Sequence, residues 1–334
     1  MSLTRASCAA FAISLASCAP APSANRGLNA ASPAKPLPAP SAGSAPPHAV
    51  PSASSSAPLE PVTGPPAQLN TSQPLHACGA FDCLAFASPS AALEYVLQTN
   101  PRVLAVGEAH AQDDRPGIFS STRRFAEQLL PMLRGKSKHI VIELLLANCE
   151  KRTVEAVKKE QAPVTEHQAK SNQNEFVTLG KVAQQLGFEP QGLTPECADY
   201  DAAVAGGEDG VARLLALVAN QTAKEVEALL AKPETANEII LTYGGALHND
   251  LKPKPGQEAW SFGPRLAAVT QNRYVELDLI VPEFVKDTDA WRNLPWFSAF
   301  DREHLSNETL LYRPSPNSFA LIFPKTERAA PARL

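Results

Sequence analysis

Val103-Leu104-Ala105-Val106-Gly107-Glu108-Ala109-His110 is an apolar run that delivers a carboxylate and an imidazole at its carboxyl end. Its first four residues read as a buried strand. The phrase Gly-x-x-His closes it. The same phrase returns at Gly245-Ala246-Leu247-His248, after the run Ile239-Ile240-Leu241-Thr242-Tyr243-Gly244. Between the two, His139-Ile140-Val141-Ile142-Glu143 is a third apolar strand ended by a carboxylate. Ligands of open α/β sheets bind beyond the carboxyl ends of the strands. Three strands that each bring a His or Glu to that end therefore predict one polar site, made of Glu108, His110, Glu143 and His248. Gly107 is expected to turn the backbone tightly and leave Glu108 and His110 beyond the sheet edge. Were the strand to run on through them, both side chains would share one face.

Around these phrases the periodicity alternates between two patterns. Helical spacing covers 89–99 (with Ser88 as a cap), 119–133, 150–160, 176–186 and 210–230. Strand-like runs cover 102–106, 139–145, 190–193 and 238–243, with 274–281 and 319–323 near the end as antiparallel additions. The stretch 111–117 reads as an Asp-rich loop and 161–173 as a mobile polar excursion. Alternating strands and helices predict a layered α/β/α fold with a mostly parallel central sheet.

The surroundings of this domain point to export. Residues 1–18 carry one early positive charge, an apolar stretch from Ala6 to Leu15, and the close Leu15-Ala16-Ser17-Cys18. That stretch is too short for a membrane span, which needs roughly 20 apolar residues. Leu-Ala-Ser-Cys resembles a bacterial lipobox, which makes Cys18 the lipidated first residue of the mature chain. Residues 19–74 are dominated by Pro, Ala and Ser, hold much of the total of 31 prolines, and read as a disordered, semi-rigid tether. A single domain is expected over 75–325, roughly 250 residues, followed by a flexible tail at 326–334. The formal net charge of −4 and the lack of a basic stripe argue against nucleic-acid binding.

Of six cysteines, Cys8 lies in the signal and Cys18 is the lipidation site. The other four are expected to form disulfides, Cys78 with Cys83 and Cys149 with Cys197, although four cysteines allow three pairings. A Cys-x4-Cys zinc site is the rival, and it would need two further ligands.

A carboxylate beside an imidazole activates water, either as base and orienting partner or as ligands of a divalent metal. A catalytic metal needs about three protein ligands and an open position. His110, His248 and either Glu108 or Glu143 supply that set. Residue type leaves metal-assisted and metal-free chemistry both open. Taken singly, a His after a strand is an ordinary loop residue and a strand-end Glu an ordinary helix cap. The repetition is what carries the reading. Asp250 either orients an imidazole or caps its loop. Arg123 and Arg124 read as a solvated helix face, with anion steering as the alternative. Tyr243 reads as a core residue with a hydrogen-bonded hydroxyl, and its alternative role is ligation of haem iron. His76, His139, His167 and His304 lack a partner pattern.

Val-Leu-Ala-Val-Gly-Glu-Ala-His, a following helix, a strand ending in Glu143 and a late Gly-Ala-Leu-His248 together resemble the Tiki/TraB, ChaN and erythromycin-esterase superfamily, over about 102–250. The resemblance implies an α/β fold with a polar site above the sheet. The Tiki side implies metal-dependent peptidase activity through paired Gly-x-x-His phrases and a Glu, and the esterase side a water activated by Gly-Glu-x-x-His. Here Gly107-Glu108-Ala109-His110 is one residue shorter than that esterase phrase. The ChaN side implies haem binding and iron uptake in exported lipoproteins, which matches the tethered organisation.

Two functions are thus expected. The first is a hydrolase acting on a peptide or small-molecule substrate, with His110, Glu143 and His248 on a divalent metal and Glu108 as base. The second is a non-enzymatic haem protein using His248 and Tyr243, with a homodimer enclosing the ligand compatible with the chain. Either would be lipid-anchored at the cell envelope. The outer membrane is favoured because Ala19 carries no evident inner-membrane retention signal, which leaves the domain in the periplasm or at the cell surface.

Overall fold

Ten strands are described in the computed structural model: β1 (Ala9–Phe11), β2 (His76–Cys78), β3 (Phe81–Phe86), β4 (Val103–Glu108), β5 (His139–Ala147), β6 (Glu189–Leu193), β7 (Ile240–Gly245), β8 (Tyr274–Ile280), β9 (Thr309–Ser315) and β10 (Ser318–Ile322). They form one sheet ordered β1-β5-β7-β4-β8-β10-β9-β3-β2, with β6 also paired to β5. The residues described are 9–11, 76–78, 81–111, 115, 117–147, 149, 153, 155–157, 159, 168, 172–205 and 209–326. Lipidation at Cys18 and the 19–74 tether lie outside them. No described helix is long and apolar enough to cross a membrane.

The centre of the sheet, β6-β5-β7-β4-β8-β10, is parallel throughout. The expected α/β architecture with a mostly parallel sheet is therefore observed. β4, β5 and β7 are largely apolar runs because they are covered on both faces. Leu104, Val106, Ile142 and Leu277 pack on one face against α1 (Pro89–Leu97), the helical segment from α2 (Ser121–Arg124) to Leu133, and α3 (Asn172–Gln185). Val103, Ala105, Val141 and Ile240 pack on the other face against α4 (Cys197–Ala203), α5 (Gly210–Leu230) and α6 (Gly263–Val269).

Several expectations are corrected. β8 and β10 are parallel to the core, not antiparallel additions; the antiparallel strands described are β9, β3 and β2, and β1 beside β5. The strand through Val103 does not turn at Gly107 but continues to Glu108. Gly107 is needed for space: a Cβ there would lie 2.6 Å from both Asn249 Nδ2 and Asp278 Oδ1. The helix read over 119–133 changes pitch, from α-helix to a π-helical stretch at Phe125–Leu129 and a 3-10 turn at Leu130–Leu133. Pro131 explains the change, because it has no N–H for the carbonyl four residues back and its ring crowds that carbonyl. β5 likewise does not end at Glu143 but runs on to Ala147.

The expected bond between Cys149 and Cys197 is present, and Cys83 is disulfide-bonded as well.

Candidate functional site

The connection leaving β4 runs into α2 on one face of the sheet, whereas the connection leaving the adjacent β7 runs to α6 on the other. Neighbouring loops that part in this way open a crevice at the carboxyl ends of their strands. All four residues read as chemical reach that edge. The parallel register sets Gly107 beside Gly244 and Glu108 beside Gly245, and Ile142 beside Tyr243. Glu143, although mid-strand in β5, is thereby level with the last residues of β7.

The four residues sort into two Glu–His pairs. In the first, Glu108 Oε1 is in direct contact with His110 Nδ1. Glu108 Oε2 accepts hydrogen bonds from Thr122 Oγ1 at 2.6 Å and from the Tyr243 hydroxyl at 2.5 Å. Burial is the largest single influence on Glu108 and would raise its pKa. The His110 charge and the hydrogen bonds from His110, Thr122 and Tyr243 outweigh it, so the carboxyl lies below its ordinary value. Both Glu108 oxygens are engaged, which makes this group an orienting partner for His110.

In the second pair, His248 Nδ1 lies 2.7 Å from the Trp260 carbonyl. A carbonyl only accepts, so Nδ1 carries the proton and Nε2 presents its lone pair. Nε2 faces Glu143 Oε1 at 3.6 Å. Glu143 Oε2 accepts from the Gly245 N–H at 2.7 Å. Gly244 makes this possible, because a Cβ there would run into the Glu143 carboxylate. Burial drives the His248 pKa down to about 4, the Trp260 hydrogen bond opposing and the charge of His110 adding. His248 is thus neutral near pH 7.

Side-chain exposure of these four groups is 4% or less, so charges that develop among them are poorly screened by water. His110 meets Glu108 through Nδ1 and His248 meets the Trp260 carbonyl through Nδ1, so both rings are oriented through that nitrogen, the pattern of an oriented base or metal ligand. The donor chemistry of His110, His248 and Glu143 therefore fits a divalent ion. Among the described residues, no group of three or more His, Cys, Asp or Glu is gathered around a point to hold one.

Other residues fall into place around this centre. Tyr243 is a core residue stacked near Phe125 and Phe176, with its hydroxyl committed to Glu108. It offers no open face to haem. Asp250 does not orient His248; its Oδ1 accepts from the Lys252 N–H at 2.7 Å, as a loop cap does. Arg123 is an exposed partner of Glu127. Arg124 is not on a solvated face: it is buried and donates to the carbonyls of Phe119 and Pro324 and to Thr326 Oγ1, fastening the segment that follows β10. His139 is buried beside Glu189 and His304 is exposed beside Asp301; the His76 side chain and His167 lie outside the described residues.

Sequence reasoning missed Thr122, the Trp260 carbonyl, Asn249 and the carboxylate pair Glu276 and Asp278. Asn249 Nδ2 donates to the Ala105 carbonyl and to Asp278 Oδ1. Burial pushes Asp278 up to about 7, the Asn249 hydrogen bond opposing and the Asp250 charge adding. Only Asn249 carried a signal, through its place beside His248; the others arrive from distant sequence.

No family model matches the chain, and no curated protein matches it. Among solved structures, the type III effector HopBA1 aligns at TM-score 0.35 and 9% identity, over 72% of this chain and 96% of that one. RRSP, a MARTX toxin effector domain from Vibrio vulnificus CMCP6, aligns at TM-score 0.28 and 16% identity, over 47% of this chain and 30% of that one.

Proposed function

We propose that the chain is a hydrolase of the cell envelope, built on a ChaN/Tiki-like α/β domain, that activates water against a peptide or ester carbonyl. The observation that carries this reading is the pairing of Glu108 with His110 and of Glu143 with His248 at one sheet edge. Glu108 stays ionised and holds the His110 tautomer, so His110 Nε2 takes the proton from water. Neutral His248 presents a second lone pair, and Glu143 stabilises positive charge that develops on its ring. A divalent ion, where bound, would take His110, His248 and Glu143 and would polarise the carbonyl as a Lewis acid. The lipobox-like close at Cys18 and the Pro-rich tether support a lipid-anchored place at the envelope, with the outer membrane favoured.

The test is hydrolysis of peptide and ester panels by the wild type, His110→Ala and His248→Ala, each with chelator and with added zinc or manganese. General-base function predicts losses of roughly 10²–10⁴-fold in each variant, with an unchanged circular dichroism spectrum. Full turnover in both variants sinks the proposal. A haemin titration runs beside it. A saturable Soret shift that disappears in His248→Ala would put non-enzymatic haem binding in its place.

A further inference from the structure

Behind Glu143, on the face covered by α5, lies a small cavity lined by Glu143, Thr222, Thr242, Gly244, Asn249 and Phe262, among others. It leaves about 10 Å³ for the centre of a water molecule, which is room for one. Two buried polar atoms belong to its lining. Thr242 Oγ1 and Asn249 Oδ1 have no hydrogen-bond partner among the described residues, and both side chains are at least 98% buried. The orientation of the Asn249 amide is fixed, because Nδ2 already donates to two acceptors, the Ala105 carbonyl and Asp278 Oδ1. Reversing the amide would set its oxygen against both. Oδ1 is therefore an acceptor in need of a donor. A buried hydroxyl and a buried amide oxygen left without a partner are destabilising, and a polar cavity of this size is where proteins retain internal water.

We infer that one long-lived water sits in this cavity, bridges Thr242 Oγ1 to Asn249 Oδ1, and contacts the Glu143 carboxylate from the side opposite His248. The water donates to Asn249 Oδ1 with one hydrogen and keeps the other for Glu143, while the Thr242 hydroxyl donates to its oxygen. Thr242 Oγ1 and Asn249 Oδ1 are then both satisfied. Thr242 and Asn249 become positioning residues: through the water they hold the carboxylate that faces His248 Nε2. The inference rests on the proposed function only in giving the Glu143–His248 pair a role; the water itself stands apart from any activity.

Magnetic relaxation dispersion of ¹⁷O and ²H in the wild type, Thr242→Val and Thr242→Ser counts long-lived internal waters, and crystal structures of the three give the position of the Glu143 carboxylate relative to His248 Nε2. The expected result is one fewer long-lived water in Thr242→Val than in the wild type, with the water retained in Thr242→Ser. The carboxylate should turn from its wild-type position in the valine variant and return to it in the serine variant. Equal counts in the wild type and Thr242→Val overturn the water site. A lost water with an unmoved Glu143 carboxylate overturns the positioning role. If Thr242→Val does not fold, a crystal structure of the wild type decides: absence of ordered density between Thr242 Oγ1 and Asn249 Oδ1 overturns the site. Inactivity of the wild type on every substrate would count against the proposed function and leave the water measurement untouched.

Discussion

Glu108 shows how a buried carboxylate is kept charged. Its burial cost is met by three donors, of which the Tyr243 hydroxyl is one. Tyr243→Phe removes that donor and keeps the ring. A hydrogen bond to a charged group contributes about 1.5–3 kcal/mol, and a loss of that size is expected in urea unfolding at pH 7. The depressed Glu108 pKa stabilises the fold above the ordinary glutamate value, and that stability is lost as pH falls through the lower folded value. The acid limb of the phenylalanine variant should therefore begin at higher pH; an unshifted limb would mean that the hydroxyl does not hold the charge. At the neighbouring strand, Gly244→Ala drives a methyl group into Glu143. Under the proposed hydrolase function, turnover should fall roughly tenfold or more, with a much smaller change in substrate affinity. Glu108, His110, Glu143 and His248 could be singled out in sequence as candidates because each is a polar group in or just after an apolar run. Thr122 and the Trp260 carbonyl were not, since local pattern holds no trace of a contact made across the fold.

Strand β8 carries the main electrostatic anomaly among the elements. Glu276, Asp278 and nearby Asp250 are all held above their ordinary values, chiefly by burial. Asp278 rises from an unfolded value near 4 to about 7. A raised folded pKa gives stability that is complete below the unfolded value and lost as pH rises through the folded one. His248 acts in the opposite sense over an overlapping window, because its depressed pKa stabilises the fold above the unfolded value and this is lost as pH falls through about 4. The two effects mask each other in the wild type alone. The difference between wild type and Asp278→Asn isolates the first: the wild type should gain on the variant as pH drops from 7 to 4. A difference that does not change with pH would show that Asp278 is solvated. Element reading from sequence succeeded for α5, where a long amphipathic stretch has one period. It failed for the segment from α2 to Leu133, where Pro131 rewinds the helix, and for β9, whose apolar pattern is broken by Arg313 and Pro314.

Across the whole molecule, the bond between Cys149 and Cys197 joins the segment just past β5 to the start of α4, 48 residues apart. Closing a loop of that length removes unfolded-state entropy equivalent to roughly 4 kcal/mol. The double variant Cys149→Ser/Cys197→Ser should lower the unfolding free energy by about 2–4 kcal/mol in non-reducing buffer, and no change would mean that the bond is absent in solution. The sequence by itself determined the alternation of strands and helices and the α/β class, and it offered four candidate residues, because apolar periodicity and the polar groups that interrupt it are local properties. Tertiary structure decided how those residues pair. Glu108 meets His110 while Glu143 meets His248, since the strand order β5-β7-β4 and the parallel register set which side chains are neighbours. It also decided why Gly107 and Gly244 are glycines. Their constraint comes from groups far along the chain that pack against the backbone at those two points, and a single strand pattern cannot encode it.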